Sequence, residues 1–198
     1  MAVRFLDPQP GERLLDLCAA PGGKTTLMAQ CTGDRADITA VDINAARLGL
    51  VTETAGRLGF ASIRCVEGDA VTFRSGEGEL FDRVLCDVPC TGTAVFSKRP
   101  DMKWRRSEGD IARMVGVQRA ILNNAYALAK PGGVIVYSTC TLEYEENEDI
   151  VAWFAGNHPV EVERADGGEH AETTAGSLIL PHRMNGIGGF AAKLRKKR

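Results

Sequence analysis

Five short apolar runs, most of them separated by stretches of helical periodicity, leave this chain few folds to choose from. Leu14-Leu15-Asp16-Leu17 reads as a first strand that passes through a glycine turn into a helix from about Lys24 to Gln30. Ile38-Thr39-Ala40-Val41 is a second strand ending at Asp42. The segment Ala45 to Leu58 after it carries Leu48, Val51, Ala55 and Leu58 at helical spacing, with Gly59 as its stop. Ile63 to Val66 and Phe81 to Cys86 supply a third and a fourth strand. A long loop with Pro100 leads to a helix over roughly Asp110 to Ala129, and a Lys130-Pro131-Gly132-Gly133 turn opens a fifth strand, Val134 to Tyr137. Strands alternating with helices imply an α/β fold with a doubly wound, mostly parallel sheet and right-handed crossovers. The last quarter is less regular: Val160-Glu161-Val162 and Phe190 to Leu194 read as strands, and the acidic stretch Glu143 to Asp149 suits a helix's first turn.

With 198 residues and no internal repeat or linker, the chain is expected to form a single domain over 1–198. No run reaches the ~20 apolar residues of a membrane span, and no secretory segment follows Met1. The six cysteines follow no secreted-domain pattern, so free thiols in a reducing cytoplasm are expected. Absence of any C-x-x-C pair argues against zinc, with His158, His170 and His182 in the least regular region. A net charge of -2 excludes a chain that grips nucleic acid by overall charge. The cations are nonetheless clustered at Lys98-Arg99, at Lys103-Trp104-Arg105-Arg106 and in the tail Lys193 to Arg198, each a solvated surface or a phosphate contact.

In an open α/β sheet the residues just past the carboxyl ends of the strands meet the ligand. The first such turn is Cys18-Ala19-Ala20-Pro21-Gly22-Gly23-Lys24-Thr25-Thr26. Its glycines let a ligand approach the backbone, and the helix start offers free N–H groups. A phosphate-binding loop would need glycine where Cys18 stands, and G-x-G-x-x-G is missing too, which disfavours a nicotinamide oxidoreductase. What remains is a nucleoside cofactor whose charged part is an amino acid, and S-adenosylmethionine fits. Asp42 is placed to accept from both ribose hydroxyls and Asp69 to bind the adenine amine, with Arg47 completing the cofactor set. The plainer role for either acid is a helix cap or a turn.

Two cysteines also fall at strand ends: Cys90 in Asp87-Val88-Pro89-Cys90, and Cys140 in Ser138-Thr139-Cys140-Thr141. A thiolate can add to an electron-poor ring, although packing is the commoner fate of a free cysteine. The runs LDLCAAPGGKTT, AVDINAARLGL, EGDA, DRVLCDVPCTGTA, RPDMKW and YSTCTLEYEENE resemble, in order, the successive motifs of RNA cytosine C5-methyltransferases, most closely the bacterial Sun-type enzymes of small-subunit ribosomal RNA. The resemblance covers about residues 14 to 150, and the paired P-C and T-C cysteines are its narrowest signal. It implies the seven-stranded, Rossmann-like sheet of class I S-adenosylmethionine-dependent methyltransferases and an RNA substrate, ribosomal RNA above all. It implies Cys140 as the nucleophile that attacks cytosine C6, Cys90 as the residue that releases methylated RNA, and Asp87 beside both methyl and base. Lys24 is either a positive charge near the pocket or a surface lysine; Cys31, Cys65 and Cys86 are assigned to packing.

Because C6 is hidden in a stack, the target must be single-stranded or extruded. Trp104 either stacks on a base or anchors the loop after the fourth strand as a core aromatic, and the second is preferred. The family's upstream RNA-binding segment is missing from this chain, Ala94 stands where glycine is usual, and Gly188-Gly189-Phe190 lacks the usual acid. A rival reading is therefore a cofactor-binding fragment or assembly module without RNA turnover. A monomer, with neither metal nor membrane partner, is expected.

Overall fold

A computed structural model of the chain describes residues 1–76, 78–104, 107–163, 171–173, 175–181 and 187–198. Five parallel strands form its centre: β1 (Arg13–Asp16), β2 (Asp37–Asp42), β3 (Ile63–Glu67), β4 (Phe81–Asp87) and β5 (Ala129–Thr139). Their order, β3-β2-β1-β4-β5, reverses direction between β1 and β4, which is where such a sheet opens a crevice. Beyond β5 the sheet turns antiparallel through β9 (Gly189–Lys196), which also pairs with β6 (Val160–Glu163) and β8 (Ser177–Ile179). With β7 (Ala171–Glu172) the described sheet has nine strands, two more than the seven expected. The additions include the two- and three-stranded-residue pieces β7 and β8, too short to leave a periodicity.

Side chains alternate across this sheet, as the period of two requires. Leu15, Val84, Cys86, Ile135 and Tyr137 join one cluster with Ile121, Leu122 and Ala125 of α4 (Glu108–Leu128) and Phe154 of α5 (Glu148–Asn157). Leu14, Leu85, Val134 and Val136 point the other way, onto Met28 of α2 (Gly23–Cys31) and onto α1 (Ala2–Leu6), whose Leu6 is fully buried. Helix α1 precedes the first strand and is too short to show a period. The third helix, α3 (Ala45–Leu58), has the expected limits. Asn44 caps it by accepting from the Arg47 N–H at 3.0 Å, and Gly59 ends it at φ 76°, a conformation only glycine adopts freely. Leu48, Val51 and Ala55 form its buried stripe.

The expected turn at residues 130–133 instead lies within β5, which runs from Ala129 with a shift of register against β4 between Phe81 and Arg83. The first four residues of the basic tail, Lys193 to Lys196, belong to β9. Its cations serve the fold: Lys193 and Arg195 pair with Glu163, and Lys196 donates to the carbonyls of Tyr126 and Ala129, both at 2.9 Å. Three cations of the tail thus have partners within the fold.

Candidate active site

Register brings the two cysteines together. Asp87 at the end of β4 lies beside Ser138 of β5, and the Val88 N–H extends the ladder to the Ser138 carbonyl at 3.0 Å. The chains leaving these strands carry Cys90 and Cys140, whose sulfurs are 3.3 Å apart; the Cys140 N–H also donates to Cys90 Sγ at 3.3 Å. Cys140 is exposed and Cys90 half-buried. The hydrogen bond from Cys90 holds the Cys140 thiol below its ordinary range, with the Lys24 charge acting the same way against burial and Asp87. That bond and burial push Cys90 far up, and the Glu146 carboxylate adds to the push. So Cys140 is the more readily ionised thiol of the pair and Cys90 the one that holds its proton more tightly.

Lys24 donates to Asp87 Oδ2 at 2.6 Å, so it faces the site and is not a free surface lysine. Beneath this ion pair lies Asp16, which the sequence reading passed over within a strand. Its carboxylate is 1% exposed, accepts from the Thr25 hydroxyl at 2.8 Å and the Cys18 N–H at 3.4 Å, and is pushed by burial up to about 7. Burial likewise lifts the Cys18 thiol well above its usual range, which leaves it inert.

A cavity of about 590 Å³ opens beside the cysteines, within the size range of small-molecule sites. Cys18, Ala20, Asp42, Arg47, Asp69, Asp87, Cys90 and Cys140 all reach its wall. Asp42 is anchored by the Ala20 and Asn44 N–H groups, both at 3.0 Å. A carboxylate has about four lone-pair sites, so two remain for a hydroxyl pair. Asp69 takes the Val71 N–H on one oxygen at 2.8 Å, which leaves the other for an amine. Ile43, Ala70 and Val71 add apolar wall for a base. This donor and acceptor set fits a nucleoside. A neighbouring cavity of about 330 Å³ is lined by Asp16, Ala19, Pro21, Gly23 and Lys24 among others. Two of the expected cofactor contacts have a visible structural task. Arg47 Nη2 donates to the Ala20 carbonyl at 2.7 Å, and Gly22, at φ 106°, turns its α-carbon to Val51, which an added Cβ would meet at 3.1 Å from Val51 Cα.

Other expectations change. Trp104 is 85% exposed with Lys103 against its ring, so it is not a core aromatic. Cys31 is exposed, whereas Cys86 is buried and Cys65 is partly buried against the Val51 cluster. Glu146, read as part of a helix's first turn, is wholly buried in a short turn before α5 and accepts from Thr91 and Gln118. His158 lies against Tyr126 and Phe154, and its ring bonds to Asn123. Arg105, Arg106, His170 and His182 lie outside the described residues.

A parallel sheet with its order reversed between β1 and β4, acids at the ends of β2 and after β3, and a glycine-turned loop between them define a class I S-adenosylmethionine-dependent methyltransferase. The paired cysteines narrow the class further. The chain belongs to the 16S rRNA methyltransferase RsmB/F family, whose model matches residues 3–195. It is 42% identical over 196 residues to the ribosomal RNA small subunit methyltransferase B of Yersinia pseudotuberculosis serotype O:1b, covering 98% of this chain and 44% of that one. Among solved structures, PH0851 superposes with a TM-score of 0.94 at 36% identity, over 98% of this chain and 45% of that one. NSun6 from Pyrococcus horikoshii with SFG gives 0.91 at 34% identity, over 100% and 51%. The chain thus spans about half the length of the relatives it matches.

Proposed function

We propose that this chain methylates C5 of a cytosine in RNA, with ribosomal RNA as the substrate and the cytoplasm as its place of action. The observation that carries the reading is the 3.3 Å pairing of two unlike thiols at the mouth of a nucleoside-shaped cavity. S-adenosylmethionine, when bound, supplies an electrophilic methyl group. Asp42 would hold its ribose, Asp69 its adenine amine, and the loop from Cys18 to Lys24 its amino-acid end.

The chain's own residues then account for the rest. The Cys140 thiolate forms a bond to C6 of the ring, and the C5–C6 electron pair becomes available at C5. Asp87 would accept from the cytosine's edge, with Lys24 balancing its charge. Once C5 carries the methyl group, its proton passes to the sulfur of Cys90 in its thiolate form, and the C–H electron pair restores the C5–C6 double bond and expels Cys140 as thiolate. Cys90 suits the release step. Its proton is held mainly by the neighbouring Cys140 thiolate, and that charge vanishes when Cys140 is bonded to C6.

The test is methyl transfer from labelled cofactor to unmodified small-subunit RNA, with the product base mapped. Label at C5 of cytosine supports the reading; cofactor binding without transfer to any RNA would favour the fragment reading. Cys140→Ala should abolish the covalent complex with RNA carrying 5-fluorocytosine, and Cys90→Ala should accumulate a complex with ordinary RNA. An adduct of full yield in Cys140→Ala overturns the choice of nucleophile.

A further inference from the structure

Among the described residues, Glu146 is the one wholly buried carboxylate next to the cysteine pair that the reaction as proposed leaves without a task. Its partners are neutral donors, and they lead straight to the two thiols. Oε2 accepts the Thr91 N–H at 3.0 Å and Gln118 Nε2 at 2.7 Å; the same Gln118 nitrogen reaches the Pro89 carbonyl at 3.0 Å. Oε1 accepts the Thr91 hydroxyl. Pro89 and Thr91 flank Cys90, so the carboxylate holds that loop directly at Thr91 and through Gln118 at Pro89.

From Thr91 the bonding continues to the other cysteine. Thr91 Oγ1 lies 3.0 Å from Thr141 Oγ1, which lies 2.9 Å from Thr93 Oγ1. Thr141 follows Cys140, and the Leu142 N–H binds Thr93 Oγ1 at 3.0 Å. A carboxylate can only accept, whereas a hydroxyl donates once. Thr91 must therefore donate to Glu146, Thr141 to Thr91, and Thr93 to Thr141. The charge at one end gives every hydroxyl in the chain a fixed sense. Glu146 is itself pinned by the Tyr137 hydroxyl, which donates to its carbonyl at 2.6 Å.

We infer that Glu146 is a positioning residue for the cysteine pair: it orders the Thr91–Thr141 bridge that sets the two sulfurs together, and its charge keeps the proton on Cys90 so that Cys140 is the reactive thiolate. The electrostatic half rests on placement. Thr91, which directly follows Cys90, binds this carboxylate through both its N–H and its hydroxyl. The Glu146 charge adds to the larger effects of the Cys140 bond and burial that raise the Cys90 thiol. A merely structural carboxylate would hold the loops without favouring one thiol over the other. The inference rests on the unequal roles given to Cys140 and Cys90, and its test needs neither RNA nor cofactor.

Brief alkylation by iodoacetamide at neutral pH, read by peptide mass, gives the ratio of Cys140 to Cys90 labelling. Glu146→Gln keeps the volume, removes the charge and forces the hydroxyl chain to turn round. The ratio should fall by ~threefold or more, the equivalent of about half a pKa unit. Thr91→Val, which cuts the bridge but keeps the shape, should lower the ratio as well, and Thr91→Ser should restore it. The Thr91 pair decides the matter should Glu146→Gln not fold. Wild-type ratios in folded Glu146→Gln and Thr91→Val would overturn the inference. An RNA adduct mapped to Cys90 in the wild type would instead overturn the choice of nucleophile, and leaves this ratio to be judged on its own.

Discussion

Asp16 occupies the last position of β1, and burial lifts its carboxyl from 3.8 to about 7 despite the Thr25 hydrogen bond. The folded chain therefore holds this proton more tightly than the unfolded chain does. Stability contributed by the proton is complete below the unfolded value and is lost as pH rises from 3.8 to about 7, after which nothing more is lost. The window corresponds to roughly 4 kcal/mol at about 1.4 kcal/mol per unit. Urea unfolding of wild type and Asp16→Asn across that range should give a difference that grows with pH and levels off near neutrality. A constant difference would mean that Asp16 folds already ionised. Lys24 stands above this acid and pairs with Asp87 instead, so the site's ion pair rests on a second carboxyl held close to its titration point.

Strand β9 shows what a single glycine does for an element. A Cβ added at Gly189 would sit 2.7 Å from the Thr139 carbonyl, on the residue before Cys140. Phe190 pairs with Thr139 in the same ladder, and the Gly188 N–H reaches the Ala94 carbonyl at 3.2 Å. Gly189→Ala must push β9 from β5 at the end next to Cys140. It should cost about 1–3 kcal/mol of stability, as overpacking does, and slow adduct formation more than cofactor binding. Denaturant melts, calorimetry with the cofactor and adduct kinetics separate the three effects. Elements of this kind also mark where the sequence could be read. Strands β1 to β5 and helices α3 and α4 were legible because short apolar runs and a 3.6-residue stripe leave a signal. Helix α1 and strands β7 and β8 are shorter than any period. The cysteine pair and Asp87 were legible from strand-end position and from motif resemblance. Asp16 and Glu146 were not, since an acid in a strand or an acidic run reads as a turn or a cap until its buried partners are known. Trp104 failed for the opposite reason: an aromatic residue is read as core unless its surroundings are seen.

On the scale of the whole molecule, charge is arranged by region, with a net of only -2. Lys193, Arg195 and Lys196 are engaged within the sheet, while Lys98, Arg99 and Lys103 are exposed on the loop after β4, and Arg99 reaches the cavity wall. RNA binding should accordingly depend on salt through this loop. Lys98→Ala and Lys103→Ala should each reduce the slope of log affinity against log salt by ~0.7, the value for one phosphate of a single strand. Filter binding at several salt concentrations reads that slope; an unchanged slope in the double variant would move the RNA to another face. Finally, β5 gains its second neighbour only from β9, which follows it by the whole of α5 and β6 to β8. As the chain leaves a ribosome, the strand that leads into Cys140 is for that interval a sheet edge with unpaired backbone groups, open to any other extended chain. A nascent chain stalled before β9 therefore already carries both cysteines and the Thr91, Thr141 and Glu146 that surround them, but lacks the strand that covers the edge of β5 beside Thr139.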